Sequence, residues 1–224
     1  MLNTSVLREV WENVVPILEE YYERNGDFTV AGGPYSRMRE EVPQMLSGVK
    51  EGSERIKRIV QELRDFAREP SRDVSQKVNI NAVVDSALVL LANLLKKSTN
   101  RFSVTLAPDL PALRGNMQRL EQVVINVVHN ACQSLPDTDR GVFLTTLHDR
   151  TENAVVVEVR DEGVGITDDV LPHIMDPFFT TKRDIGGTGL GLSISSTIMR
   201  EHGGRLEFAS MPGEGTTVRL ILPV

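Results

Sequence analysis

The sequence has little cysteine, no long apolar run and no excess of basic residues, and each absence excludes a class of protein. Its single cysteine, Cys132, cannot build an intrachain disulfide framework and favours a reducing compartment. No apolar run approaches the ~20 residues that cross a bilayer, and charged residues such as Arg8 and Glu9 argue against a signal peptide. The 25 Lys+Arg against 31 Asp+Glu give a net charge of −6, which argues against a nucleic-acid partner. We therefore expect a cytoplasmic chain without a membrane segment of its own.

The rest of the composition is that of a globular protein, and the amino-acid composition differs between the two ends of the chain. Hydrophobic residues make up 40% and charged residues 25% of the 224 residues, which suffices for a buried core. The composition shifts around residues 69–73. We predict one domain over residues 1–72 and a second over residues 73–224.

The first of these domains carries two amphipathic helical patterns, separated by Gly- and Pro-containing breakers within residues 25–34. Apolar residues of the first pattern recur at three- and four-residue steps: Leu7, Val10, Val14, Ile17, Leu18 and Tyr21. The second pattern resembles a heptad seam, with Pro43 in its predicted first turn, and runs to about Phe66. Since two helices cannot cover their own stripes, we expect a homodimer in which two hairpins form a four-helix bundle. The alternative is a hairpin that packs on its own C-terminal domain.

The second domain mixes helices and strands without the regular alternation of a parallel sheet. We predict helices over residues 81–97, with Asn81 as the cap, and over 116–135 and 191–202. Predicted strands cover residues 102–107, 142–147, 154–161, 206–210 and 216–222. This order predicts an α+β sandwich, with helices on one face of a mainly antiparallel sheet.

Asn126 and Asn130 stand four residues apart on the predicted helix 116–135, so both amides lie on one face. Carboxamide oxygens are hard neutral ligands that suit Mg²⁺, which takes its other ligands from water and substrate phosphates. Two solvent-facing asparagines are the alternative, but their apolar neighbours on this helix argue against it because half-buried amides need partners.

A carboxylate and two glycines follow the predicted strand 154–161. Asp161 at the strand end could accept a hydrogen bond from an exocyclic amine such as that of adenine. Gly163 and Gly165 would let the backbone approach a flat ring. An ordinary turn after a strand would have the same sequence, so the motif is weak evidence alone.

A glycine-rich stretch over residues 184–191 directly precedes the predicted helix 191–202. Glycines and a helix start together expose backbone N–H groups and a positive dipole end, which favours an anion such as a phosphate. Lys182 and Arg183 lie immediately upstream. The spacing is neither that of a P-loop nor that of a Rossmann fingerprint. The preceding Phe178 and Phe179 could anchor a lid, although core packing is the expectation for at least one of them.

Taken together, these residues resemble the sequence boxes of sensor histidine kinases. The resemblance lies in the N box (Asn126-Val-Val-His-Asn130-Ala-Cys-Gln-Ser134), the G1 box (Asp161-Glu-Gly-Val-Gly165), the F box (Asp176-Pro-Phe-Phe-Thr-Thr-Lys182), the G2 box (Gly187-Thr-Gly-Leu-Gly-Leu192) and a terminal glycine box (Gly213-Glu-Gly-Thr-Thr217). The order and spacing match over residues 74–224, and the helical hairpin resembles the dimerisation and phosphotransfer domain of the same proteins.

The resemblance implies the Bergerat nucleotide-binding fold and a site for ATP and Mg²⁺. Asn130 would bind Mg²⁺ with help from Asn126, and Asp161 would read adenine with Thr216 nearby. A lid would close over the phosphates, with Lys182 as a phosphate contact. The implied nucleotide-binding residues are Asn126, Asn130, Asp161, Gly163, Gly165, Phe178, Lys182, Gly187, Thr188, Gly189, Leu190, Gly191 and Thr216, and the implied catalytic residues are Asn126, Asn130 and Lys182.

Two departures from the family pattern matter. The phosphoacceptor histidine of the family lies in a His-Glu motif on the first bundle helix, and residues 1–115 contain no histidine. We expect that the chain begins after this motif; a natural chain without an acceptor is the alternative.

The second departure concerns the related ATPases gyrase, Hsp90 and MutL, in which a glutamate stands four residues before the magnesium-binding asparagine. Here that position is Asn126, whose amide cannot act as a general base.

These features favour a histidine kinase whose ATP γ-phosphoryl group passes to a histidine and then to an aspartate of a response-regulator receiver domain. Two other hypotheses stay open at this point: a non-catalytic, nucleotide-gated dimerisation module, and an ATPase of the same fold.

Overall fold

A computed structural model describes residues 4–67, 76–182 and 187–224. The chain divides into two compact units, Met1–Gln61 and Glu62–Val224. The predicted domain boundary at residues 72 and 73 lies outside the described residues and stays a prediction. In the described ranges, no helix is both long enough and apolar enough to cross a membrane.

The first unit contains the predicted helical hairpin. Helix α1 spans Thr4–Asn25 and helix α2 spans Tyr35–Ala67, and α2 continues past the end of this unit. Two short strands, β1 (Thr29–Val30) and β2 (Gly33–Pro34), pair antiparallel between the helices. The sequence pattern did not reveal these strands, because two residues are too few to show an alternation.

The start of α2 corrects one prediction, because Pro43 lies inside this helix and not in its first turn. The Asp27 carboxylate accepts hydrogen bonds from the Ser36 amide and the Ser36 hydroxyl. The ring of Tyr35, which is 0% exposed, stacks on Phe28 at 4.9 Å. These contacts begin the helix eight residues before the proline, which is tolerated within it.

The apolar stripe predicted on α1 lies largely on the surface. Ile17 is 67% exposed, and Leu7, Val10, Val14 and Tyr21 are exposed with it. A different face of α1 contacts α2: Arg8 donates to the Ser47 hydroxyl, and Glu19 accepts from the Tyr35 hydroxyl. The intrachain pairing of the two helices therefore leaves the stripe uncovered.

The second unit is the predicted α+β sandwich. Its elements follow in the order β3 (Gln76–Val78), α3 (Ile80–Ser98), β4 (Arg101–Thr105), β5 (Leu113–Gly115), α4 (Met117–Ser134), β6 (Gly141–Asp149), β7 (Ala154–Asp161), a 3₁₀ turn (Leu171–His173), α5 (Gly191–Glu201), β8 (Arg205–Met211) and β9 (Gly215–Pro223). The main sheet has the order β4-β6-β7-β9-β8, in which only β4 and β6 run parallel. The small strands β3 and β5 form a separate antiparallel pair.

The core of this unit lies between the helices and one face of the sheet. Alternate residues of β7, including Val155, Val157 and Val159, meet buried residues of α4 such as Val123 and Val127. Burial of this kind stabilises by about 1.5–3 kcal/mol for each large aliphatic side chain. The core holds α4 against β7, and these two elements carry the predicted site residues.

The predicted cap of α3 is wrong by two residues. Asn79 is the cap, because its side chain accepts from the amides of Asn81 and Ala82. Asn81 instead donates to the Ala107 carbonyl and accepts from the buried Thr146 hydroxyl. In contrast, α4 begins at the expected place, since Asn116 accepts from the Arg119 amide.

Candidate nucleotide-binding site

The face of α4 that carries Asn126 and Asn130 continues for another turn to Ser134, and all three residues are half-buried. The Asn126 amide nitrogen donates to the Gly191 carbonyl and the Ser195 hydroxyl, both at 3.2 Å. Asn126 therefore ties α4 to the first turn of α5. Its donors are committed to this contact, and its carbonyl oxygen is the atom left for a ligand.

Lys182 meets the same helix. Its Nζ donates to the main-chain carbonyl of Asn130 at 3.4 Å. Burial lowers the pKa of Lys182, and the negative charge of Asp161 partly opposes this effect. The structure thus brings Lys182, Asn130 and Asp161 together from three separate stretches of the sequence.

Asp161 stands at the end of β7 and is only 4% exposed. Its Oδ1 accepts hydrogen bonds from the Gly163 amide at 2.8 Å, the Ser134 hydroxyl at 3.0 Å and the Thr216 amide at 3.3 Å. Thr216 is adjacent because β7 and β9 pair Asp161 with Thr216. Burial raises the pKa of Asp161, and these hydrogen bonds with the Lys182 charge offset part of that rise.

Gly163 and Gly165 are glycines because the neighbouring chain leaves no room for a side chain. A Cβ on Gly163 would overlap the Ser134 hydroxyl and lie 2.6 Å from the Asp161 carboxylate. Gly165 has φ +70°, and a Cβ there would overlap the main chain of Met211. These glycines therefore let the loop after β7 fold closely around Asp161.

The F-box segment and the glycine-rich segment are held together by their backbones. The Phe178 amide donates to the Gly189 carbonyl at 3.0 Å, and the Gly187 amide donates to the Lys182 carbonyl at 2.9 Å. Gly189 has φ +72°, and a Cβ there would lie 2.5 Å from the main-chain carbon of Phe178. Phe178 itself has φ +67°, a conformation that costs about 1–2 kcal/mol outside glycine.

Neither aromatic residue of the F box lies in the core, so that expectation is wrong. Phe178 is 55% exposed. Phe179 is half-buried, with its ring 5.7 Å from that of His173. The positive φ of Phe178 turns the chain at this point, and sequence alone carries no signal for it.

The glycine-rich segment leads directly into α5. Leu190, the residue before the helix, is buried and provides no side-chain hydrogen bond to the first turn, and Gly191 begins the helix. Thr188 accepts from the Leu190 amide. The first N–H groups of α5 therefore have no cap from Leu190, which suits an anion. Arg183 and the glycine-rich residues 184–186 lie outside the described residues.

Ser134, the last residue of the N box, is a site residue to which sequence reasoning assigned no role. Its signal was its spacing, since it lies four residues after Asn130 on the same helix face. Within the described ranges, no group of three or more His, Cys, Asp or Glu residues could hold a metal ion. A divalent ion at this site would therefore depend on amide oxygens, water and ligand phosphates.

Comparison with known proteins finds similar sequences and similar folds. Residues 115–224 match the family described as "Histidine kinase-, DNA gyrase B-, and HSP90-like ATPase". This part of the chain contains α4, both glycine-rich motifs and Asp161, and the resemblance to sensor histidine kinases is confirmed.

Among curated proteins, the chain is 34% identical over 217 residues to a "Putative sensor protein" of Shewanella frigidimarina, covering 97% of this chain and 32% of the relative. It is also 34% identical over 181 residues to the signal transduction histidine-protein kinase AtoS of Escherichia coli, covering 81% of this chain and 29% of AtoS. The chain thus spans about a third of the length of these relatives.

Solved structures share the fold. Full-length ShkA in complex with AMPPNP superposes with a TM-score of 0.70 at 22% identity, covering 82% of this chain and 39% of ShkA. The histidine kinase ThkA in complex with the response regulator protein TrrA superposes with a TM-score of 0.66 at 21% identity, covering 98% of this chain and 60% of that one.

Proposed function

We propose that the chain is the dimerisation and ATP-binding region of a two-component sensor histidine kinase, and that it catalyses transfer of the ATP γ-phosphoryl group to a histidine. The observation that carries the proposal is the buried carboxylate of Asp161, which interacts with the charge of Lys182, while the Lys182 ammonium donates to the main-chain carbonyl of Asn130. The solved relative ShkA was crystallised with the ATP analogue AMPPNP, which supports an adenine nucleotide as the ligand here.

In this proposal, Asp161 reads the base. Its Oδ1 is occupied by three donors, so Oδ2 is the oxygen available to accept the exocyclic amine of adenine. Gly163, Gly165 and Thr216 position the carboxylate and keep the surrounding backbone close. A buried, ionised acceptor rejects a base that presents a carbonyl oxygen at this point.

The phosphates would lie against the glycine-rich segment and the start of α5. The backbone N–H groups of Gly189 and Gly191 would donate to phosphate oxygens. Those of Gly187 and Leu190 already donate to the Lys182 carbonyl and the Thr188 hydroxyl, and they hold the shape of the segment. The Lys182 ammonium would add a positive charge, with its half-buried position strengthening the attraction. Phe178 would hold the segment in place through its hydrogen bond to Gly189.

Mg²⁺ fits the donor set of α4. The carboxamide oxygen of Asn130 is a hard ligand, and Asn126 has its nitrogen committed to α5 and its oxygen free for the ion or its water. When bound, Mg²⁺ would neutralise phosphate charge. The chain's own contribution is to hold the nucleotide with its terminal phosphate exposed to an incoming histidine.

Hydrolysis by this site is disfavoured. The related ATPases use a glutamate where this chain has Asn126, and an amide cannot take a proton from water at neutral pH. The Asn126 nitrogen also donates to Gly191 and Ser195. The side chain therefore stabilises the packing of α4 on α5 and does not activate an attacking water. Transfer to a protein side chain is the reaction that this site supports.

The exposed stripe on α1 supports a homodimer. Leu7, Val10, Val14, Ile17 and Tyr21 form a continuous apolar surface, and Met45, Val49, Ile56, Val60 and Leu63 are exposed on α2. A second hairpin that covers both stripes would give a four-helix bundle. ThkA was solved with a response regulator, which supports a receiver domain as the second partner of this chain. The use of ATP as the phosphoryl donor fits the predicted cytoplasmic location.

A mixing experiment tests the transfer. The acceptor is a version of the chain extended at its N-terminus by a helical segment with a His-Glu motif, and it carries the substitution Asn130→Ala, which removes its own proposed magnesium ligand. The proposal predicts that the present chain labels this acceptor from γ-labelled ATP, with acid-labile chemistry, and does not label itself on a bundle histidine. Steady phosphate release without transfer would favour the ATPase, and nucleotide binding without either would favour a non-catalytic module.

A further inference from the structure

Ser134, the last residue of α4, connects the helix that carries Asn130 to the carboxylate of Asp161. Its hydroxyl lies 2.7 Å from the Ala131 carbonyl and 3.0 Å from Asp161 Oδ1. A hydroxyl has one proton and here faces two acceptors. A charge-assisted hydrogen bond is the stronger of the two, so an ionised Asp161 draws that proton toward itself.

The other partners of Asp161 fix the direction of this bond. Oδ1 also accepts from the main-chain amides of Gly163 and Thr216, which can only donate. Oδ1 therefore stays unprotonated, and Ser134 is the donor. Among the described residues, every hydrogen bond of this carboxylate ends on Oδ1, so the group is oriented with Oδ2 left for a ligand.

The packing leaves little freedom for a different arrangement. A Cβ on Gly163 would overlap the Ser134 hydroxyl and lie 2.6 Å from both Ser134 Cβ and Asp161 Oδ1. The Gly163 backbone, the Ser134 side chain and the carboxylate thus fill one small volume. Of the three donors to Oδ1, only Ser134 is a side chain, so it is the one that substitution can remove cleanly.

We propose that Ser134 is a positioning residue for base recognition, which holds Asp161 in the ionised orientation that presents Oδ2 to the exocyclic amine of adenine. This inference rests on the proposed function, because it assigns Asp161 to the base. The hydrogen bond from Ser134 also lowers the pKa of Asp161 against the rise that burial causes.

Among the residues that the structure describes, two further titratable groups interact with Asp161. Lys182 faces it as a positive charge, and the buried thiol of Cys132 on α4 lies close enough for its pKa to be raised by burial and by the Asp161 charge. Strand β9 contributes the Thr216 amide. Removal of the Ser134 hydroxyl leaves these groups in place, so a change in the titration of Asp161 would report the lost hydrogen bond.

The test compares Ser134→Ala with the wild-type chain in ADP titrations from mildly acidic to neutral pH. Loss of one hydrogen bond predicts ADP binding weaker by about threefold to tenfold at neutral pH. It also predicts that the acid loss of binding moves to higher pH, since Asp161 then protonates more easily. Thr197→Val is the matched control, because the Thr197 hydroxyl donates to the Ser193 carbonyl within α5.

The outcomes separate the possibilities. An unchanged pH profile overturns the proposal, even if Ser134→Ala lowers the melting temperature, because that combination indicates a purely structural hydroxyl. If Ser134→Ala does not fold, Ser134→Cys keeps the volume with a poor donor, and the same upward shift is expected of it. Absence of ADP binding by the wild-type chain would instead refute the proposed function itself.

Discussion

Substitution of Asp161 by asparagine tests base recognition most sharply, because it replaces only one carboxylate oxygen by an NH₂ group. The three donors to Oδ1 would hold the amide oxygen in the same position, so the new NH₂ group would face the ligand. A donor would then oppose the exocyclic amine of adenine, where a charged acceptor stood before. A hydrogen bond to a charged group contributes about 1.5–3 kcal/mol, so ADP should bind about tenfold to a hundredfold more weakly.

The same substitution should also reduce or reverse the preference for adenine over hypoxanthine. Hypoxanthine presents a carbonyl oxygen where adenine presents an amine, and the new NH₂ group can donate to it. We therefore expect Asp161→Asn to narrow or reverse the preference for ADP over inosine diphosphate, measured by calorimetric titration of both ligands. Unchanged ADP affinity, or an equal loss for both nucleotides, would refute the assignment of Asp161 to the base.

The stability of the ligand-free protein should not fall in this variant. Burial raises the folded-state pKa of Asp161 above its ordinary value of 3.8, so the folded state binds this proton more tightly than the unfolded state. The protonated carboxyl group stabilises the folded state fully below pH 3.8, and this stabilisation is lost as pH rises through the folded-state pKa. At neutral pH the ionised carboxylate therefore destabilises the folded protein. Thermal unfolding of Asp161→Asn at neutral pH should therefore show an equal or higher melting temperature without nucleotide.

Asp149 provides the control with the opposite sign. This exposed carboxylate accepts from the amides of Glu152 and Thr151, which lower its pKa. Its stabilising effect is present above the unfolded pKa and is lost as pH falls through the folded pKa. Asp149→Asn should therefore reduce stability slightly at neutral pH and leave ADP affinity and base preference unchanged.

Four further changes have defined outcomes. Asn130→Ala should remove the difference between ATP affinities measured with Mg²⁺ and with a chelator, because it deletes the proposed ligand oxygen; a persistent difference would move the metal elsewhere. Gly189→Ala should weaken nucleotide binding and lower the free energy of unfolding by more than the about 1–2 kcal/mol that the positive φ alone costs, because its Cβ would also clash with the main chain of Phe178; unchanged binding would remove this turn from the site. His202→Ala should lower the urea unfolding free energy by about 1–3 kcal/mol, because its ring accepts from the Asn116 amide and donates to the helix. Ile17→Glu should convert a dimer to a monomer in light scattering, and a dimer that survives would place the interface away from the α1 stripe.

Long periodic elements of this chain could be predicted from the sequence, and short or tertiary ones could not. Helix α4 has a strong apolar period and a capping Asn116, and its predicted bounds differ from the structure by one residue at each end. The cap of α3 was ambiguous because Asn79 and Asn81 both precede the apolar run, and only the contact of Asn81 with Ala107 decides between them. The start of α2 depends on the stacking of Phe28 on Tyr35, which no local pattern reveals.

At the site, too, the sequence predicts local spacing but not the contacts that depend on tertiary packing. Spacing on one helix predicted that Asn126 and Asn130 share a face, but the contact of Asn126 with Ser195 depends on how α4 and α5 pack. The approach of Thr216 to Asp161 requires the register of β7 against β9, so only a family resemblance could suggest it in advance. The spacing of Ser134 from Asn130 places it on the same helix face, but its role depends on Asp161, a partner 27 residues away that only the fold brings close.

The most direct test of the proposed nucleotide site is a calorimetric titration of the chain with AMPPNP in the presence of Mg²⁺. We predict saturable binding of one nucleotide per chain, weakened both by removal of Mg²⁺ and by Asp161→Asn. The absence of any binding heat at millimolar nucleotide, with the protein folded and Mg²⁺ supplied, would contradict this prediction.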